Sequence, residues 1–308
     1  MKYLIIGAGG TGACIGGYLA HNGHDVTFIA RDNHLSAMKE CGLTIHSKKH
    51  GNLHIFPAHA YTMEDYEGNP DVIFVCVKYY SLKEVSTFIN RIATPQTLVI
   101  PILNVFDTGE VLQKACPHCT ILSGCVYIVG FIETFGVVSQ PADIFKVYFG
   151  YRKGQARQLE TLALQVEKDL NASSIEGHFT EHILREALQK FSFVSPMGAA
   201  GLYYNATGGD FMVPGEKQDT FIQLIEEVET LGKAMGITFD CNLKEVNLNI
   251  LYGLAKDSTT SMQRDVQKGG LSEIDGLVHS IVRLGHEYHV SLPTYEKISA
   301  WAEENHIH

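Results

Sequence analysis

Three kinds of chemistry are available to residues at particular spacings in this sequence. Glycines 7, 9 and 12 stand in Gly7-Ala8-Gly9-Gly10-Thr11-Gly12, the pattern of a turn that wraps a dinucleotide pyrophosphate when a strand precedes it and a helix follows. Lys190 falls inside a helical stripe with Ile183, Ala187 and Val194, taking about 100° per residue. A lysine there either snorkels to water along its apolar stem or holds its ammonium in a partly desolvated cleft between domains, where its pKa falls toward a value useful for proton transfer. The hydroxyl-rich Asp257-Ser258-Thr259-Thr260-Ser261-Met262 has the groups to hold a carboxylate or phosphate, although hydroxyls also cap helices.

The elements that position these residues follow from hydrophobic patterning. Lys2 to Ile6 reads as a buried strand and Ala13 to Ala20 as the body of a helix starting at the turn. Gly7 permits the tight turn, Gly9 the approach of a pyrophosphate, and Gly12 close helix-on-strand packing, with unpaired helix N–H groups facing the phosphate. Asp25 to Ala30 is a second strand ending at Arg31. An acidic residue there suits NAD, whereas an arginine suits the 2′-phosphate of NADP; the adjacent Asp32 leaves open a merely solvated arginine.

Asp71 to Val77 is a near-continuous apolar run, as in a central parallel strand covered on both faces. It ends at Lys78, placed either to meet a cofactor or anionic substrate or to be solvated. The helix Ser81 to Ala93 crosses over to the strand Gln96 to Leu103, which ends at Asn104. This asparagine offers a donor and an acceptor to a ligand, or serves as a turn former. Residues 43 to 60 read as a hairpin or irregular excursion. Strands at Ile121 to Val129 and Val147 to Phe149, with a helix from about Gln155 to Leu170, complete a first domain.

Beyond residue 178 helical periodicity takes over, which divides the chain into domains 1–178 and 179–308. Residues 198 to 217 are a glycine-interrupted passage, read as a helix end with a loop. A helix from about Asp219 to Met235 presents Phe221, Leu224, Ile225, Val228 and Leu231 on one face. Ser272-Glu273-Ile274-Asp275 has the S-x-x-[DE] form of a helix N-cap, which puts Glu273 where a helix start favours a carboxylate. His306 to His308 form a mobile terminus.

With 308 residues, 45% hydrophobic and 19% charged, the chain is long enough for two cores. A formal charge of −10 and the lack of a basic run argue against nucleic acid or an anionic membrane as partner. The first strand begins at Lys2, leaving no room for a signal peptide, and no run nears the roughly 18 apolar residues of a membrane span, so a cytoplasmic protein is expected. Seven cysteines, an odd number, suit a reducing compartment. Cys116-Pro117-His118-Cys119 has redox spacing, but Cys116 follows a helix instead of starting one, the wrong end for lowering a thiol pKa. The fifteen histidines form no metal-binding motif.

Taken together, the sequence resembles the ketopantoate reductase family over nearly its whole length. The likeness rests on the glycine turn, Arg31, Val77-Lys78, Leu103-Asn104 and Leu188-Gln189-Lys190-Phe191, then on Ser261-Met262-Gln263-Arg264-Asp265, Ser272-Glu273-Ile274-Asp275 and Leu292-Pro293-Thr294-Tyr295. The resemblance implies an α/β fold, a Rossmann-type doubly wound sheet followed by an all-helical substrate and dimerisation domain, assembled as a homodimer. It implies NADPH-dependent reduction of 2-dehydropantoate to pantoate on the route to pantothenate. Lys190 would be the general acid, Glu273 would orient it and the substrate hydroxyl, and Ser261 would hold the substrate carboxylate. Asn104 would lie between nicotinamide and substrate. Gly7, Gly9, Gly10, Thr11, Gly12, Arg31, Lys78 and Asn104 would bind NADP. No metal is implied.

The sequence also departs from the family. Asparagines are expected four and eight residues after the lysine, where Val194 and Gly198 stand, and Val105 replaces the glycine after Asn104. A site that loses hydrogen-bonding partners loses discrimination, so a different and more apolar 2-oxo acid is an alternative substrate. A protein that senses NADP(H) without turnover is an alternative of another class.

Overall fold

The computed structural model describes all residues, 1–308. They form two compact units, one of Met1–Leu103 with Asp107–Ile183, the other of Asn104–Phe106 with Leu184–His308.

The first unit opens with β1 (Lys2–Ile6), α1 (Gly10–His21), β2 (Asp25–Ile29) and α2 (Asp32–Cys41), followed by β3 (Leu43–Ser47), β4 (Gly51–Ile55) and β5 (His59–Tyr61). It continues with β6 (Val72–Val75), a short 3₁₀ turn, α3 (Leu82–Ile92), β7 (Leu98–Pro101), α4 (Thr108–Ala115) and β8 (Thr120–Ile121). Next come β9 (Ser123–Ile128), β10 (Phe131–Thr134), β11 (Val137–Gln140), β12 (Phe145–Gly150), α5 (Glu160–Ala172) and β13 (Glu176–Phe179).

Six strands pair in parallel in the order β5-β2-β1-β6-β7-β8. Their apolar runs lack alternation because both faces are covered. Tyr3, Ile5, Phe74, Leu98 and Ile100 join one core with α1 residues such as Ile15 and Leu19. Leu4, Ile6, Ile73, Val75 and Val99 join a second with Val85, Phe88 and Ile89 of α3. Since β2 and β6 flank β1 on opposite sides, the winding reverses there, and the carboxyl ends of β1 and β6 border the crevice where such sheets bind ligands.

The predicted strand over residues 121–129 divides at Leu122 because its halves join different sheets: β8 pairs with β7, while β9 pairs with β12. The predicted helix start at Gln155 moves to Glu160. Residues 152–155 instead form a turn, and the Gln155 amide donates to the Ile121 carbonyl (2.8 Å) and to Gln113 Oε1 (3.2 Å). The β10–β11 hairpin was not foreseen. It extends the β3–β4 hairpin into a sheet of order β10-β11-β3-β4.

The second unit is helical: α6 (Ile183–Tyr203), α7 (Gly208–Phe211), α8 (Glu216–Ala234), α9 (Leu243–Tyr252), α10 (Ser261–Gln267), a π turn over Asp275–His279 leading into α11 (Ser280–Glu287), and α12 (Pro293–Glu304). Phe221, Leu224, Ile225, Val228 and Leu231 of α8 are fully buried. The Glu227 carboxylate accepts the N–H groups of Thr294 (2.8 Å) and Tyr295 (3.0 Å), capping α12.

Helix α6 does not end near residue 198 but runs through Pro196. Proline lacks the N–H that would bond the carbonyl four residues back. That carbonyl, Ser192 O, instead accepts the side-chain N–H of Asn247 on α9 at 3.0 Å. The same helix therefore carries Lys190, Val194 and Gly198. The S-x-x-[DE] capping box does not close either: Asp275 pairs with Arg283 at 2.7 Å, and Ser272 Oγ accepts from Ile274 N. Nor is the C-terminus loose, since Ser272 N–H donates to the His308 carbonyl at 2.6 Å.

Candidate active site

In the first unit the glycine turn is held at the strand ends. The N–H groups of Gly7 and Ala8 donate to the Ile29 carbonyl of β2 (3.1 and 3.2 Å), and Cys76 N–H after β6 donates to the Ile6 carbonyl (2.8 Å). Gly7 has φ +95°, a conformation that L side chains rarely adopt. A Cβ on Gly12 would run into the Gly7 carbonyl oxygen. Gly9 differs: its φ of −72° and ψ of −169° suit any residue, and a Cβ there would meet no protein atom within 4 Å. Gly9 is also the N-cap of α1, a helix start with no side-chain cap and no acidic residue in its first turn.

Two supports of this turn escaped the sequence reading. A Cβ on Gly10 would strike the backbone of Gly130 and Phe131, so the β9–β10 connection lies directly against the start of α1. His34 of α2, 8% exposed, bridges Ala8 O (2.9 Å) and Gly136 N (3.1 Å). Because Gly136 donates to Nδ1, Nε2 carries the proton and donates to Ala8, and burial holds the His34 pKa below its ordinary value. No spacing signal in the sequence joins His34 to residue 136.

Arg31 follows β2 with a side chain 80% exposed and an ion pair to Asp32 at 3.9 Å. Lys78 follows β6, half-buried at the start of the 3₁₀ turn Tyr79–Ser81. The turn, Arg31 and Lys78 thus stand at the carboxyl ends of three adjacent strands, β2, β1 and β6.

The second unit brings together residues far apart in sequence. Lys190 Nζ, half-buried, donates to Asn104 Oδ1 at 2.6 Å. The segment 104–106 packs with α6, and the Phe106 and Phe191 ring centroids lie 6.2 Å apart. Ser261 opens α10, but the cap is Thr260, whose Oγ1 accepts from Gln263 N at 3.3 Å. Glu273 is 3% exposed. Met262, next to Ser261, and Leu277, one turn beyond Glu273, converge on α6. A Cβ on Gly198 would lie 3.1 Å from Met262 Cε and 3.8 Å from Leu277 Cδ1.

Cys116 and Cys119 offer no thiolate. Both are buried, their thiols donate to the Ser86 and Cys116 carbonyls, and burial pushes their pKa values up to about 11 and about 12. No helix is long and apolar enough to cross a membrane.

Residues 3–154 match the model of the family described as ketopantoate reductase PanE/ApbA, and residues 182–305 match the model of its C-terminal domain. The chain is 27% identical over 300 residues, 97% of each chain, to the "uncharacterized oxidoreductase YkpB" of Bacillus subtilis (strain 168). Among solved structures it is similar to 2-dehydropantoate 2-reductase from Methylococcus capsulatus, with a TM-score of 0.86 and 21% identity over 99% of this chain and 97% of the other. It is likewise similar in fold to D-mandelate dehydrogenase in a ternary structure with NADH and anilino(oxo)acetate, with a TM-score of 0.85 and 20% identity over 99% of this chain and 98% of that one. With its two halves matched in order by the two family models, the chain belongs to the ketopantoate reductase PanE/ApbA family of oxidoreductases.

Proposed function

We propose that the protein reduces a 2-oxo acid to a 2-hydroxy acid with NADPH, acting on the branched skeleton to which ketopantoate belongs. The observation that carries this reading is the Lys190–Asn104 hydrogen bond of 2.6 Å, in which the lysine of α6 is held by the neutral amide of the segment after β7 in a chain of a reductase family. The glycine turn fits a dinucleotide. Gly9 has space for a Cβ that nothing in the protein fills, and the first N–H groups of α1 point from a helix end without a side-chain cap, a natural pyrophosphate seat. Arg31, well exposed, would pair with the 2′-phosphate, and Lys78 would add positive charge at the next strand end. The D-mandelate dehydrogenase solved with NADH and anilino(oxo)acetate supports a nicotinamide cofactor and an oxo acid for this fold.

Bound there, the reduced nicotinamide supplies a hydride to the ketone carbon. The residues of the second unit manage the oxygen. The Lys190 ammonium stabilises the negative charge growing on it and delivers the proton. Asn104 accepts one lysine N–H and so fixes the direction of the other two. The buried Glu273 orients the lysine, the role that the family resemblance implies for it. Ser261 donates its hydroxyl to the substrate carboxylate beside the start of α10.

The test is NADPH oxidation by the purified protein over ketopantoate and other branched 2-oxo acids, with the ratio of NADPH to NADH affinity measured in parallel. Turnover with at least one acid and tighter binding of NADPH are expected. Binding of NADPH with no oxidation by any acid would overturn the reading.

A further inference from the structure

We propose that Phe106 and Asp107 are positioning residues for the proton donor: they hold Asn104 where its amide oxygen meets Lys190, and they act on the reaction only through that hydrogen bond. This rests on the reductase reading above. Asn104 lies in a segment that belongs neither to β7, which ends at Pro101, nor to α4, which begins at Thr108. No ladder of either element sets its place, so its amide keeps one direction only if something beyond the hydrogen bond itself holds the segment. The segment is fastened to α6 at two points, Asn104 on Lys190 (2.6 Å) and Phe106 on Phe191. Phe106 and Phe191 are 4% and 1% exposed, with ring centroids 6.2 Å apart. Phe191 directly follows Lys190 and Phe106 stands two residues after Asn104, so the ring contact and the hydrogen bond tie the same two stretches of backbone together. Val105, buried and β-branched, stands where the resemblance implies a glycine, and it removes backbone freedom between them.

Asp107 closes the segment. Its backbone is left-handed, with φ +62° and ψ +18°, a conformation that few residues other than glycine adopt and in which aspartate and asparagine are the usual exceptions. Asp107 is also the N-cap of α4, a position that ordinarily has extended backbone, and its side chain makes no cap hydrogen bond. Capping therefore does not account for the conformation. The left-handed turn stands where the chain leaves residues 104–106, which cluster with the second unit, and resumes the first at residue 107. Backbone of this kind persists where its surroundings over-determine it. Here the buried Phe106 ring holds one side, and on the other the Asp107 carbonyl accepts the N–H groups of Glu110 (3.0 Å) and Val111 (3.2 Å).

Kinetics of the full chain with NADPH and the 2-oxo acid that it reduces fastest test this. Phe106→Ala should lower kcat about tenfold and leave the NADPH Kd unchanged. Coupling is the readout that packing alone would not give: with Asn104→Ala already in place, adding Phe106→Ala should lower kcat by less than about twofold further. Asp107→Gly and Asp107→Ala both remove the carboxylate, but only glycine adopts φ +62° without strain, so the glycine variant should turn over about three- to tenfold faster. That difference should vanish in the Asn104→Ala background. If Phe106→Ala does not fold, the Asp107 pair decides alone. Losses that multiply in the double variants, or equal rates for the two Asp107 variants, would overturn the proposal while leaving the reductase reading intact. An unaltered protein that oxidises no NADPH with any 2-oxo acid would overturn both.

Discussion

The glycine turn of the first unit and the Lys190 face of the second are built by opposite means. The turn is almost entirely backbone: a positive φ at Gly7, a Cβ excluded at Gly12, N–H groups at a helix start, all within a few residues of β1. The Lys190 face is almost entirely side chain, with its hydrogen bond to Asn104 spanning 86 positions of sequence and Met262 and Leu277 arriving from two further elements. A backbone site recognises what every dinucleotide shares. A side-chain site is re-specified by single substitutions, and there Val194 and Gly198 stand where the resemblance leads one to expect asparagines.

The contrast yields ordered predictions. Lys190→Ala should lower kcat by about 10² to 10⁴ with the NADPH Kd unchanged, read by steady-state kinetics and a fluorescence titration; a variant that keeps its rate would move the proton donor elsewhere. Asn104→Ala should cost about 10- to 100-fold in kcat/KM, the worth of a hydrogen bond to a charged group, chiefly through kcat. In the backbone site, Gly9→Ala should weaken NADPH binding by about tenfold or more and leave Tm unchanged. Gly10→Ala, which drives a Cβ into Gly130, should also destabilise the fold by about 1–3 kcal/mol. Equal Tm losses for the two variants would mean that Gly9 serves packing.

The smallest effect concerns pH. Burial holds His34 and His279 below their ordinary pKa, so the unfolded chain binds protons at both near pH 6.5 and the folded chain only at lower pH. The unfolded state then holds more protons, and stability must fall as pH drops through about 6.5. Thermal melts should show Tm a few degrees lower under mildly acidic conditions, and His34→Gln should remove part of that slope.

The same contrast governs what was legible in the sequence. β1, the turn and α1 are contiguous, so patterning and glycine spacing were sufficient to read them. The buried strands were readable because both faces carry apolar residues into the two cores. Lys190 was visible as a cation on an apolar stripe, but its pairing with Asn104 was not, because spacing carries no information across 86 residues. The continuation of α6 was hidden by Pro196, whose consequence is repaired by Asn247, 55 residues from the carbonyl it satisfies. The β10–β11 hairpin was hidden because residues of β10 are exposed throughout, leaving no alternation to read.

The central claim, hydride transfer from a nicotinamide to the carbonyl carbon of a 2-oxo acid, is tested most directly by isotope. The protein is supplied with 3,3-dimethyl-2-oxobutanoate and NADPH deuterated at C4, each face labelled in turn, and the hydroxy acid product is weighed. One label should deliver a single deuterium to C2 and the other none. A product without deuterium from either label, or no hydroxy acid at all, would contradict the account.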